Sequence, residues 1–287
     1  EQSKFLALQR QLQKRSSEAQ TATEQIASGR RIQARDQDVI ASASLDRIRR
    51  VDAEWNGFAD VGRIVRSEAV AADSALGSAQ DIVSDARNLA IQVGSGPRTA
   101  SQLEAAADEV GQLFDSLRSV ANTKHGGQHL FAGTAGDTEP FDTAGQFQGS
   151  TKLRSVEIQP GDTLRQPDGA TAFGANGGVD VFQALSDLEA ALRAGDQDAA
   201  RTLGDTLRDG MSQLTRERQT MGAHLESLDQ AEAFRDNVQL QLEVEDGELG
   251  DTDIADAATR LQMAQTTLQA TVEVNSRLKS MDLLGKL

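Results

Sequence analysis

Apolar residues recur along most of this chain in steps of three then four, the period of a helix face that meets a partner. The first seam runs through Phe5, Leu8, Leu12, Ala19, Ala22 and Ile26, with Arg15 as its one exception. It predicts an N-terminal helix interrupted at Ser28-Gly29, then a polar turn from Ile32 to Asp38 in which Asp36 or Asp38 caps the next helix. The second seam is far longer: Leu45, Ile48, Trp55, Phe58, Val65, Ala69, Ala72, Leu76, Ala79, Val83, Ala86, Ala90 and Val93, stopped by Gly94-Ser95-Gly96-Pro97. A helix of about 50 residues extends roughly 75 Å. A third helix carries Leu103, Ala107, Val110, Phe114, Leu117 and Ala121 and is expected to end near Gly126-Gly127.

The period then changes. Residues 128–178 hold Phe131, Phe141, Phe147 and Phe173 among many glycines, with alternation around Val156 and Ile158, which predicts short strands joined by turns. Helical spacing returns at Phe182, Leu185, Leu188 and Leu192, pauses at Gly195, and resumes through Leu203, Leu207, Leu214, Met221, Leu225, Leu228, Val238 and Leu242. Gly247 and Gly250 mark a break. Thr252 or Asp253 then caps a last helix with Ile254, Ala257, Leu261, Ala264, Leu268, Val272 and Leu278 on one face. The chain thus divides into an N-terminal helix and turn (1–38), rod helices (39–127), a small β-rich insertion (128–178), further rod helices (179–250) and a C-terminal assembly helix (251–287). The expected fold is mainly α: an elongated coiled-coil rod of long antiparallel helices, the insertion at its far tip and the terminal helices meeting at the other end. A terminal helix with a narrow apolar stripe needs a partner for it, because isolated helices are marginal in water.

Charge narrows the partners. The chain carries a formal −15 and an isoelectric point near 4.6, which repels phosphate backbones and anionic headgroups and argues against nucleic acid and membrane surfaces. The first 50 residues run the other way, at a net +4, while residues 196–250 carry −8, so the basic segment is expected to lie against acidic helices. There is no cysteine, which excludes disulfides, thiolate zinc sites and cysteine nucleophiles. No run of about 18 apolar residues occurs, so no membrane insertion is expected. The start lacks the pattern of a cleavable signal, and the first residue is Glu1, as in a trimmed chain or one missing an upstream segment. With aromatics at 3% and no Tyr, helices must pack through small residues.

Candidate chemistry is sparse. His125 and His129 stand four apart, zinc-ligand spacing on a helix, but Gly126-Gly127 between them favours a turn and no third ligand is evident. His224 reads as a surface residue in an acidic helix. The acids from Glu243 to Asp253 are out of register for a calcium loop, and neither Gly94–Pro97 nor Gly174–Gly178 is followed by the lysine and hydroxyl of a phosphate loop. No serine sits in a nucleophile-elbow context and no His-Glu pair has metalloprotease spacing, so no enzyme, metal or cofactor is expected. Trp55 and Phe58 continue the long seam in register, which favours packing over a binding hot spot.

Several segments resemble one family. Gln25-Ile26-Ala27-Ser28-Gly29-Arg30-Arg31-Ile32, Ala72-Asp73-Ser74-Ala75-Leu76-Gly77 and Ala86-Arg87-Asn88-Leu89-Ala90-Ile91-Gln92 are similar to stretches of the flagellin-like proteins of the bacterial flagellum. Asn122-Thr123-Lys124-His125-Gly126-Gly127-Gln128-His129-Leu130-Phe131-Ala132-Gly133-Thr134 and Val181-Phe182-Gln183-Ala184-Leu185-Ser186-Asp187-Leu188 resemble the hook-filament junction branch of that family, where flagellins usually differ. Asp253 to Leu261 and Asp282 to Leu287 resemble the family's terminal helix. The likeness is weakest over 135–178 and 196–245, and Asp36-Gln37-Asp38-Val39 departs from the paired acids and proline usual at the turn into the long helix.

The resemblance implies a structural subunit secreted through the flagellar type III apparatus without a cleaved signal. It implies self-association in a ring, hook-associated protein 1 on the hook side, flagellin on the filament side, and an export chaperone on the C-terminal helix before secretion. The candidate assembly interface is the pair of terminal stripes: Phe5, Leu8, Leu12, Ala19 and Ile26, and Ile254, Leu261, Leu268, Val272 and Leu278. Packing between subunits is favoured there, with packing inside a monomeric bundle as the alternative. A short flagellin of the filament itself, and a soluble coiled-coil adaptor or signalling protein, remain as other readings.

Overall fold

The computed structural model describes residues 2–32 and 38–284, with side chains described from 9 to 274. Seven helices and four short strands follow in order: α1 (Gln2–Ser28), α2 (Val39–Gly94), α3 (Ala100–Ala121), β1 (Lys124–His125), β2 (Gln128–His129), β3 (Ser155–Gln159), β4 (Asp162–Arg165), α4 (Gly169–Ala172), α5 (Val181–Ala194), α6 (Gln197–Gly250) and α7 (Ile254–Leu284). The mainly α class and the long helices agree with the periodicity. Two ends differ from expectation: helix α3 stops at Ala121, and α6 runs through Gly247 to Gly250. Thr99 opens α3 with a reciprocal capping box to Gln102. Asp38 and Asp253 are the caps at their turns, accepting from the N–H groups of Ala41 and of Ala255 and Asp256. The Ala41 N–H, foremost, holds the Asp38 carboxyl below its ordinary range. Asp36, the other candidate, lies outside the described residues.

The chain forms two compact units, 55–236 and 1–54 with 237–287, divided inside α2 and α6 and not at the edges of 128–178. In the first unit α2 and α6 run antiparallel, with Arg66 bonded to Asp229 and Arg218 to Asp73. Their shared core is built from Ala72, Leu76, Val83, Ala90, Leu207 and Leu214, so small residues set a close approach, as the aromatic-poor composition requires. Helices α3 and α5 pack against each other beside it, and α5 is capped by Asp180 and closed by Gly195.

Phe131, Phe141 and Phe173 are buried in the helical core: the rings of Phe141 and Phe173 lie 4.8 and 5.8 Å from that of Phe182 of α5, and Phe131 lies 5.5 Å from Phe173. The segment caps the helices and shares their core. Its one substantial hairpin, β3–β4, turns through Pro160-Gly161 and seats Ile158 and Leu164 on Leu228 and Ala231 of α6. Strand β3 is where Val156 and Ile158 alternate.

In the other unit α1 and α7 are antiparallel and close, their adjoining ends joined where Arg30 pairs with Asp251. Ala22, Ala257 and Ala264 are buried in the seam and permit that approach. The start of α2 adds Ala41, Leu45 and Ile48, with Leu45 against Gly250.

Candidate assembly surface

Helices α1 and α7, which carry the stripes singled out from sequence, pack against each other within the chain. Leu12, Ala19 and Ile26 of α1 are half-buried beside buried Ala22 and Gln25, and Leu261 and Leu268 of α7 are half-buried one turn from Ala257 and Ala264. Ile254 and Val272 are 58% and 59% exposed, at the flank of that seam. Phe5, Leu8 and Leu278 lie on α1 and α7, with side chains outside those described.

The joint between α1 and α7 explains the Gln25 to Ile32 motif. Arg30 places Nη2 2.5 Å from Asp246 and Nη1 3.1 Å from Asp251; the hydrogen bond to Asp246, foremost, raises the guanidinium pKa. The Arg31 N–H donates to the Gly250 carbonyl at 2.7 Å, its guanidinium to the Leu249 carbonyl at 2.9 Å, and the Thr252 N–H to the Gly29 carbonyl at 2.9 Å. Gln25 closes the loop by donating to the Arg31 carbonyl at 2.7 Å. The basic segment does meet acids, Arg47 also pairing with Glu245.

Of twelve large apolar side chains exposed among the described residues, eight belong to this unit: Val39, Ile40, Leu240, Val244, Ile254, Met263, Val272 and Val274. The unit is the smaller of the two, so large exposed apolar side chains are more frequent in it among the described residues. Six of the eight were missed from sequence, because a search for seam periodicity selects residues that face a partner helix. Leu240 and Val244, one turn apart on α6, carried the signal that was available.

The junction-type motif Asn122 to Thr134 is structural. The Asn122 amide donates to the Phe141 carbonyl at 2.8 Å and accepts from the Phe141 N–H at 2.9 Å, and it also donates to Glu139. Gly126 and Gly127, at φ 57° and 86°, make the two-residue turn of the β1–β2 hairpin. His125 and His129 take separate partners there, the Ser67 hydroxyl at 3.0 Å and the Asn122 carbonyl at 2.8 Å. No group of three or more His, Cys, Asp or Glu among the described residues is placed to hold a metal, and no helix among them is long and apolar enough to cross a membrane.

Other polar anchors come from tertiary contact alone. Gln213, buried on α6, donates to the Ala172 and Val179 carbonyls at 3.1 and 3.2 Å and accepts from the Val179 N–H at 3.1 Å, which ties down the loop after α4. Gly178 is required beneath it, since a Cβ would sit 2.1 Å from the Gln213 carbonyl oxygen. Gln213→Leu strips a backbone N–H and two carbonyls of their partner and is expected to cost about 3 kcal/mol, measured as a lower urea midpoint at unchanged m-value. Arg218 lies over Gly77, bonding Asp73 through two nitrogens and Gln80 through a third, which accounts for the Ala72 to Gly77 motif.

Trp55 and Phe58 pack on the long helices as the seam predicts, half-buried in a cluster with Phe234 of α6, which is 55% exposed. His224, expected at the surface, is half-buried: Arg165 and Pro167 line the same recess beside Met221, and burial, then Arg165, depresses its pKa below the ordinary 6.5. A neutral imidazole is favoured in the fold, so its contribution is present above pH 6.5 and is lost as the pH falls below that value. Glu217, raised by burial and then Asp168, works in the opposite sense. His224→Gln is therefore expected to flatten the acid loss of stability between neutral pH and the depressed imidazole value, measured as the difference in thermal midpoint between variant and parent along a pH series.

Residues 2–136 match the bacterial flagellin N-terminal helical region. Flagellin A of Vibrio cholerae is 28% identical over 165 residues, 54% of this chain and 42% of that one, so the chain spans about two fifths of the curated relatives it matches. Among solved structures, FlgL of Bacillus cereus superposes with a TM-score of 0.62 at 17% identity, covering 70% of this chain and 99% of that one. The flagellar junction protein FlgL of Legionella pneumophila gives 0.59 at 13% identity, covering 72% and 100%. The chain therefore matches the bacterial flagellin N-terminal helical region over residues 2–136 and resembles flagellar hook-associated protein 3 in its fold.

Proposed function

We propose that this chain is a non-catalytic structural subunit of the bacterial flagellum at the junction between hook and filament. The observation that carries the reading is the match of the FlgL fold over nearly the full length of those chains, together with a junction-type Asn122 to Thr134 segment that locks the Phe141 loop onto the helices. The subunit works by geometry. Apolar side chains left exposed on the unit formed by 1–54 and 237–287 are covered by neighbouring subunits, with Ile254 and Val272 among them. Hook-associated protein 1, flagellin and further copies in a ring are the partners, reached after chaperone-assisted export to the cell exterior. Deletion of the gene tests this: hooks without filaments, with flagellin spilled into the medium, support it, and intact filaments overturn it.

The similarity to Flagellin A favours a second reading, a short flagellin of the filament itself. Purified chain added to filament seeds elongates them under that reading and leaves them unchanged under the first.

A further inference from the structure

We propose that Asn176 is a site of spontaneous deamidation, a water-driven conversion to aspartate and isoaspartate in the loop that Gln213 clamps. The chain contains two Asn-Gly pairs, Asn56-Gly57 and Asn176-Gly177, and the fold treats them oppositely. Gly57 lies well inside α2, where its N–H belongs to the helical hydrogen-bond ladder and the helical backbone turns that nitrogen away from the preceding side chain. Asn176 and Gly177 lie outside any helix or strand and are exposed. The Asn176 main-chain N–H donates to the Ala170 carbonyl at 3.0 Å, while the Asn176 amide and the Gly177 N–H bond no other group among the described residues. A Cβ on Gly177 would meet nothing within 4 Å, so the approach is open.

The reaction balances with water alone. The deprotonated main-chain nitrogen of Gly177 attacks Cγ of Asn176, a C–N bond forms, the bond from Cγ to the side-chain nitrogen breaks, and ammonia leaves with the proton taken from Gly177. Water then opens the five-membered imide, its hydroxyl going to one carbonyl carbon and its proton to the imide nitrogen. Opening at Cγ yields aspartate; opening at the main-chain carbonyl yields isoaspartate, which lengthens the backbone by one methylene. That extra length falls between the Ala170 contact and Val179, the residue held by Gln213. The modified loop also gains a carboxylate four residues before the Asp180 cap of α5.

The experiment incubates the full chain in mildly alkaline buffer at physiological temperature and follows both pairs by peptide mapping. The readouts are the mass gained when NH2 becomes OH and isoaspartate labelling by an isoaspartyl methyltransferase. Asn176 is expected to convert at least about ten-fold faster than Asn56, the ratio that a helix opening cost of about 1.4 kcal/mol already produces. Asn176→Ser should abolish the label in that peptide, and Gly177→Ala should slow its appearance. Equal rates at the two pairs, a label that survives Asn176→Ser, or an Asn176 that stays intact while the urea-unfolded chain deamidates there, each overturns the proposal.

Discussion

Leu261→Asp with Leu268→Asp should unzip α1 from α7 and stop incorporation into the flagellum, whereas Ile254→Asp with Val272→Asp should stop incorporation while leaving α1 and α7 paired. The first pair puts carboxylates into a half-buried seam, one turn from Ala257 and Ala264. Each such charge costs on the order of 3 kcal/mol, enough to undo a two-helix contact. The second pair alters side chains that are 58% and 59% exposed and that make no comparable intramolecular contribution. Limited proteolysis reports the helix pair, and swimming with shed flagellin reports incorporation. Motile cells carrying Ile254→Asp and Val272→Asp would remove those residues from any subunit interface and assign the terminal stripes to packing within the chain.

Phe141→Ala is expected to cost the unit formed by 55–236 about 3–5 kcal/mol, the range for emptying a buried phenylalanine site. The ring is 1% exposed and lies 4.8 Å from Phe182, 5.2 Å from Phe173 and 5.3 Å from Phe147, so its loss removes several aromatic contacts along with the transfer free energy. Urea denaturation measures it, with half-buried Phe147→Ala as a milder companion. A loss below about 1 kcal/mol would mean that the loop does not complete the helical core.

The helices were legible because their signals are local. The three-four spacing, the stop at Gly94 to Pro97, the close at Gly195 and the cap at Asp253 each act within a few residues, and the structure uses them where they stand. Glycine alone misled at Gly247, which α6 carries without interruption. The terminal stripes were equally legible as helix, but their partner was not: a heptad pattern states that a face needs cover and is silent on whether the cover is the same chain or another.

Burial was the quantity hidden from sequence, because it depends on residues far apart in the chain. Gln213 looks like one polar residue among many on an acidic helix until Ala172 and Val179 arrive beneath it. His224 is half-buried because Arg165 and Pro167 fold over α6, and Gly178, at φ 85°, also leaves room for the Gln213 side-chain amide oxygen. The phenylalanines of 128–178 were placed in a separate insertion by sequence neighbourhood, yet distance in space put them with Phe182. By itself, then, the sequence determined the helices, their breaks, the absence of catalytic groupings in its motifs and the flagellin-like signature, all properties of short windows. The tertiary structure decided which apolar faces meet within the chain and which eight large side chains of one unit stay exposed, since the free energy of burial is assigned by contacts between segments as distant as Arg30 and Asp251.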